Sequence, residues 1–274
     1  MSIPDQQITA CIQAIDQADG LLITAGAGFG VDSGLPDFRG SGGFWKAYPA
    51  LGRQRIDFAS IASPESFQAN ARLAWGFYGH RLNLYRRTIP HAGFDILRRI
   101  GDRLPLGAFA FTSNVDGQFQ TAGFPPDRVA EVHGSIHHLQ CVSGCQNDIW
   151  SADGFEPVID EENCLLTSPF PRCPHCGAIA RPNILMFGDW KWRGQRSAAQ
   201  KAALGAWLGH VEHLLVIELG AGTSIPTLRN LGDSINGRLI RINPREAEVR
   251  RSDDISIPVG ALDALRQLEQ ALQR

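Results

Sequence analysis

Much of what could assign this chain quickly is missing. It has 26 basic against 28 acidic side chains, a net charge of -2, and no run of Lys and Arg, so it carries no electrostatic footprint for nucleic acid or for an anionic membrane. No segment reaches about 18 consecutive apolar residues, which excludes a transmembrane helix. The start, MSIPDQQITACIQAIDQ, lacks a basic stretch followed by a long apolar one, so no secretory signal is expected. Six cysteines among 274 residues are too few for a disulfide scaffold and point to a reducing compartment, with a cytoplasmic location as the default. Internal repeats and low-complexity linkers are also absent. What remains is an ordinary globular composition, 43% hydrophobic and 20% charged, able to bury a core without cross-links.

Apolar runs provide the first positive signal. Leu21-Leu22-Ile23-Thr24 leads into Gly26-Ala27-Gly28-Phe29-Gly30, and Ala108-Phe109-Ala110-Phe111 into Thr112-Ser113-Asn114-Val115-Asp116. Leu214 to Ile217 precedes Gly220-Ala221-Gly222, and Arg238 to Ile242 precedes Asn243-Pro244. Each reads as a buried parallel strand ending in a polar or glycine turn. Helical periodicity fills the intervals at 6–17, 66–87, 196–208 and 261–272. The pattern predicts an α/β fold, a Rossmann-like doubly wound parallel sheet whose ligand gathers at the carboxyl ends of the strands. Between 134 and 185 the periodicity breaks, and five of the six cysteines lie there. The expected division is therefore a nucleotide-binding domain from 1–133 and 186–274, with an inserted small zinc-binding module at 134–185.

Within that insert stand Cys141-Val-Ser-Gly-Cys145 and Cys173-Pro-His-Cys176, with 27 residues between the inner cysteines. Two closely spaced thiolate pairs can complete a tetrahedron around one zinc, and four protein ligands leave no open position, so the metal is expected to be structural. Cys11 and Cys164 fit no ligand spacing, and His175 is expected to lie outside the coordination shell. The glycine turn at 26–30 suggests backbone amides near a nucleotide phosphate. A dehydrogenase fingerprint is disfavoured, because Val31 stands where its third glycine belongs and no acidic residue ends a following strand. Asp37 and Arg39 suggest a loop closing over the ligand.

Taken together these residues resemble the sirtuin family. Gly26 to Arg39 is similar to its first signature, Thr112-Ser-Asn-Val-Asp116-Gly to its second, and Glu131-Val-His133-Gly134-Ser135 to its third. The cysteine pairs follow in the family's order, then Arg181 to Asp189, Gly220-Ala-Gly-Thr-Ser and Ile242-Asn243. The resemblance runs from about Leu21 to Gly260. It implies removal of acyl groups from protein lysines with NAD as co-substrate, giving nicotinamide and O-acyl-ADP-ribose, and acyl-lysine proteins or peptides as partners. In that reading His133 is the catalytic base and Asn114 a catalytic residue beside the ribose. Asp116 accepts from the nicotinamide carboxamide, and Phe38 shields the reacting carbon from water. Gly26, Ala27, Gly28, Asp37, Arg39, Ser113, Gly220, Ala221, Gly222 and Thr223 line the cofactor, and Asn243 contacts the adenosine. Met186, Phe187 and Gly188 resemble an edge strand to which substrate peptide adds. Tyr78 and Arg81, three apart on a predicted helix, resemble the pair that receives acidic acyl groups such as succinyl in one subgroup.

Three positions depart from the family: Ser113 stands for its usual Gln, Gly30 for Ser, and the first cysteine pair is CxxxC. Loss of the glutamine amide keeps open a mono-ADP-ribosyltransferase or NAD hydrolase on the same scaffold. A catalytically idle binding module is disfavoured by the retained His133, Asn114 and Asp116.

Overall fold

The computed structural model describes residues 2–36 and 40–273. The main sheet takes its strands from both ends of the chain, β1 (Gly20–Ala25), β2 (Ala108–Thr112) and β3 (Val129–Glu131) from the first half and β9 (Leu214–Leu219), β10 (Arg238–Ile242) and β11 (Ile255–Ile257) from the last third. These form one parallel sheet in the order β3-β2-β1-β9-β10-β11. Counted along the sheet alone, that is the 3-2-1-4-5-6 order of a doubly wound dinucleotide fold. Every residue of β1 and β9 is buried, which is why both read as unbroken apolar runs. Glu218 in β9 is the exception in chemistry. It is 1% exposed and faces Arg241 in register on β10, with Arg241 Nε 2.5 Å from Glu218 Oε1.

Helices Asp5–Asp16, Ala92–Asp102 and Ala261–Leu272 pack one face of the sheet around Ile23, Ile217 and Leu265, while Gln195–Leu208 and Thr227–Ser234 cover the other over Leu22, Phe109 and Val216. The helix expected at 66–87 is two helices, Pro64–Ala69 and Ala71–Arg87. Asn70 ends the first and caps the second, accepting from Leu73 N at 3.1 Å.

The interval between β3 and β9 holds β4 (Gly134–Cys141), β5 (Ile149–Ser151), the hairpin β6 (Ile159–Asp160) and β7 (Leu165–Leu166), and β8 (Ala180–Ile184). β5, β4 and β8 make an antiparallel sheet. This module does not stand alone. Its Ile136, Leu139, Leu166 and Ile184 share an apolar core with Phe44, Leu51, Phe67, Trp75 and Phe77 from the helices between 40 and 87. Side chains of the Ala71–Arg87 helix also bind its backbone: Arg72 to Leu166 O, Asn83 to Pro157 O, and Arg86 to Ala152 O and Phe155 O. The carboxyl ends of β1, β2 and β3 therefore open toward a second layer that packs and hydrogen-bonds onto the Ala71–Arg87 helix.

Candidate active site

The two strands between which the strand order reverses, β1 and β9, end in turns that interlock. Gly26 N donates to Leu219 O at 3.0 Å and Gly28 N to Gly220 O at 3.1 Å. A Cβ on Gly26 would lie 2.7 Å from Gly220 O. Gly220 has φ +58, and a Cβ there would lie 2.3 Å from Phe29 N, so any side chain forces the turns apart. Ala27 is exposed and Gly28 half-buried at the rim, with Gly222 and Thr223 opposite. Asn243 sits behind this turn, 1% exposed. Its Nδ2 donates to Ala221 O at 3.0 Å, and its Oδ1 accepts from Arg245 N and Glu246 N. Through these bonds its carboxamide shapes the Gly220–Ala221 turn. Thr223 Oγ1 donates to Glu246 Oε1 at 2.6 Å.

A third loop joins from β2. Thr112 Oγ1 donates to Ala25 O at 2.7 Å and accepts from Asn114 N, while Asn114 Nδ2 donates to Gly26 O at 3.0 Å. Asn114 is thus tied to the first glycine turn by its own side chain. Asp116 is 8% exposed; its Oδ1 accepts from Gln118 N at 2.9 Å. Burial pushes its carboxyl up to about 6, and the charge of Glu131 adds to the rise, opposed by the Gln118 amide and by Arg81. His133 follows β3, half-buried beside this loop. Burial lowers its pKa from the ordinary 6.5, against a hydrogen bond with the Ser113 backbone. A neutral imidazole and a carboxyl of raised pKa therefore share one crevice with Ser113 and Asn114.

On the second layer, Leu185 N donates to His133 O at 2.9 Å and Phe187 N to Ala62 O at 2.9 Å. The expected edge strand at Met186-Phe187-Gly188 is not formed: β8 ends at Ile184, and these residues make a turn with Gly188 at positive φ. The turn is fixed by Asp189, whose side chain is wholly buried, pairs with Arg181 at 2.7 Å, and accepts from Lys191 N and Met186 N. Met186 is buried and Phe187 is 43% exposed, its ring 5.8 Å from that of Phe58.

Arg81 is buried rather than solvated. It donates to Tyr85 Oη through Nε at 2.9 Å and Nη2 at 2.5 Å, and lies over the rings of Phe77 and Tyr85. Tyr78, 1% exposed, stacks on Phe67 at 5.8 Å. Tyr85 is thus the hydrogen-bonding phenol for Arg81, a partner that the sequence reading missed although i,i+4 spacing could have found it. The expected Asp37, Phe38 and Arg39 lie outside the described residues.

Away from this crevice, Cys141, Cys145, Cys173 and Cys176 converge with all four sulfurs within 4.8 Å of one another. The Cys141–Cys176 and Cys145–Cys173 separations are 3.6 and 3.5 Å, far beyond a disulfide and near the ~3.8 Å edge that a tetrahedron of ~2.3 Å zinc–sulfur bonds requires. The donor set fits one structural zinc. His175 turns instead to Asp148 at 2.5 Å, outside the sulfur group. Cys11 and Cys164 are buried elsewhere, their thiols pushed up to about 12 by burial.

The Sir2 family model matches residues 26–224. An NAD-dependent protein deacylase of Aquifex aeolicus is 26% identical over 255 residues, covering 92% of this chain and 95% of that protein. One of Thermococcus kodakarensis is 33% identical over 166 residues, 60% of this chain and 58% of that protein. The crystal structure of a Sir2 homologue–NAD complex superposes with a TM-score of 0.73 at 21% identity, covering 99% of this chain and 94% of the other. A Sir2 bound to acetylated peptide gives 0.68 at 19% identity, over 97% and 98% of the two chains. Two interlocked glycine turns at the switch point, a histidine at the end of the third strand and a four-cysteine insert accord with that match, and the chain belongs to the Sir2, or sirtuin, family.

Proposed function

We propose that this chain removes acyl groups from protein lysine side chains with NAD as co-substrate, releasing nicotinamide and O-acyl-ADP-ribose. The observation that carries the reading is the convergence of both glycine turns, Asn114, Asp116 and a half-buried His133 of lowered pKa at one switch point. Bound NAD supplies an electrophilic ribose carbon, whose nicotinamide leaves as the acyl oxygen arrives. Gly26, Ala27 and Gly28 with Gly220, Ala221, Gly222 and Thr223 would hold the dinucleotide, and Asn243, which braces the second turn, would contact its adenosine part. Asn114, tethered to Gly26 O, orients the ribose. Asp116 has one oxygen committed to Gln118 N, which leaves the other for the nicotinamide carboxamide. His133 takes a proton from a ribose hydroxyl, its ring oriented by the Ser113 backbone. Asp37, Phe38 and Arg39 complete the cofactor side on their sequence match. Met186, Phe187 and Gly188 guide the substrate chain from a turn that the Arg181–Asp189 pair holds still.

Mass spectrometry of a reaction with NAD and acyl-lysine peptide tests this. Deacylated peptide, nicotinamide and O-acyl-ADP-ribose are expected in equal amounts. ADP-ribosylated protein, or free ADP-ribose without peptide turnover, would assign the chain to ADP-ribosyl transfer or NAD hydrolysis, the alternative that Ser113 leaves open.

The acyl group that this site favours is an acidic one such as succinyl. Arg81 supports this, because a guanidinium held among Phe77, Tyr78 and Tyr85 is desolvated and gains more from an acyl carboxylate than an exposed one does. Arg81→Met is expected to lower succinyl-peptide turnover by about tenfold or more and acetyl-peptide turnover far less, on the scale of one charge-assisted hydrogen bond. Equal losses on both substrates would assign Arg81 to the fold.

A further inference from the structure

His137 carries no role in the reading above, yet the second layer is distorted around it. β4 and β8 pair in register at Ser135↔Asn183 and again at Leu139↔Pro182, so residues 136–138 of β4 stand against a single step of β8. A bulge of this size turns the strand away from its partner and re-aims the side chains it contains. Here the bulged segment bonds to the loop after β2 instead: Ile136 N donates to Val115 O at 3.0 Å, and His137 Nε2 lies 2.8 Å from Asp116 O. A carbonyl only accepts, so Nε2 carries the proton. The next residue makes room for the ring. Gly117 has φ +74, and a Cβ on it would lie 2.8 Å from His137 Cδ2 and 2.9 Å from Nε2.

We infer that His137 is a positioning residue that fixes the Asp116–Gly117 turn, and with it the point at which the Asp116 carboxylate meets the nicotinamide carboxamide. This rests on the assignment of Asp116 above. Two contacts converge on one turn, a hydrogen bond to the Asp116 carbonyl and ring packing on Gly117. Asp116 itself is held on its other side by its Asx-type bond to Gln118. Without His137, the Asp116 carbonyl loses its donor and the ring no longer packs on Gly117. The turn then rests on the bonds from Thr121 N to Gly117 O and from Gln118 N to the carboxylate, and the carboxylate's position is less well fixed. A positioned acceptor loses its worth quickly when it is misplaced.

The test uses the whole zinc-loaded chain with His137→Ala, His137→Gln and His137→Phe, and Asp116→Ala as reference. His137→Ala is expected to raise both the KM for NAD and the nicotinamide concentration for half-inhibition by about threefold to tenfold, the worth of one hydrogen bond. The KM for acyl-peptide, the zinc content and the thermal midpoint should stay as they were. His137→Gln keeps a donor and should recover most of the nicotinamide sensitivity, whereas His137→Phe keeps the ring and should not. If Gln and Phe behave alike, or if the peptide KM rises in step with that for NAD, His137 is merely structural and the inference fails. An Asp116→Ala variant with unaltered nicotinamide inhibition would overturn the assignment of Asp116 itself, and the inference with it.

Discussion

A base is useful only while it is empty, and burial favours the empty form of His133, the proposed base. Its lowered pKa means that the neutral ring persists below pH 6.5 and that turnover is lost only as pH falls through that lowered value. His133→Ala should leave NAD binding nearly intact, as measured by calorimetry, while turnover drops by about two to four powers of ten. Asp116 contributes in the same window with the opposite history. Its carboxyl, ordinarily at 3.8, is held at about 6, so the fold favours the protonated form. Stability from this group is present below about pH 4 and is lost as pH rises through 6, a cost on the order of 2–3 kcal/mol at neutral pH. Asp116→Asn is therefore expected to raise the unfolding free energy at pH 7.5 by about 1–3 kcal/mol while weakening nicotinamide inhibition. Denaturant titration beside inhibition assays checks both, and a variant neither more stable nor less sensitive to nicotinamide would contradict the account.

Elements differ in how openly the sequence declares them. β1, β2, β9 and β10 are legible because a strand buried on both faces must be an apolar run, and the four thiolates because a tetrahedral ion dictates spacing. Short edge strands are not. Val129–Glu131 and Ile255–Ile257 have three residues each, too few for a period. The break at Asn70 is a cap inside a continuous helical pattern, and the bulge at 136–138 is set by a loop twenty residues away. Asn243 illustrates the same limit within the site: a family motif marks the position, while only the hydrogen bonds show that its carboxamide also braces the Gly220–Ala221 turn. The zinc cluster closes this element-scale account. Cys141 ends β4, the strand that carries His137 and begins beside His133, while Cys173 and Cys176 precede β8. Removal of the metal by a chelator, or Cys173→Ala, is expected to abolish peptide turnover and loosen β4 from β8, with the six-stranded sheet retaining its protection in hydrogen exchange.

At the scale of the molecule, the site lies on the seam between two cores, and its geometry depends on how the second core seats on the Ala71–Arg87 helix. Gly76 and Gly79, one helical turn apart, share the face on which the β6–β7 hairpin lies. Their surroundings differ in kind. A Cβ on Gly76 would fall 1.8 Å from Cys164 O and 2.4 Å from its carbonyl carbon, a collision with backbone that no rotamer relieves. A Cβ on Gly79 would meet Ile159 Cδ1 and Pro157 Cβ at 2.8 Å, side chains of which the isoleucine can turn aside and the proline ring must shift. Helix propensity alone favours alanine at both positions by about 1 kcal/mol. Gly79→Ala should consequently be destabilising by about 1 kcal/mol, less than Gly76→Ala, as the propensity gain offsets part of the proline's displacement. Gly76→Ala must push the hairpin off the helix, at the 1–3 kcal/mol or more of an overpacked core, and should lower the thermal midpoint by several degrees. The same helix carries Arg81 and Tyr85, so the displacement also reaches the residues proposed to receive the acyl group. Turnover of succinyl- and acetyl-peptides should then fall together in Gly76→Ala, unlike the selective loss expected of Arg81→Met. Thermal unfolding and paired acyl-peptide assays read both effects. A Gly76→Ala protein as stable and as active as the parent would show that the helix and hairpin tolerate separation, and that the seam does not set the site.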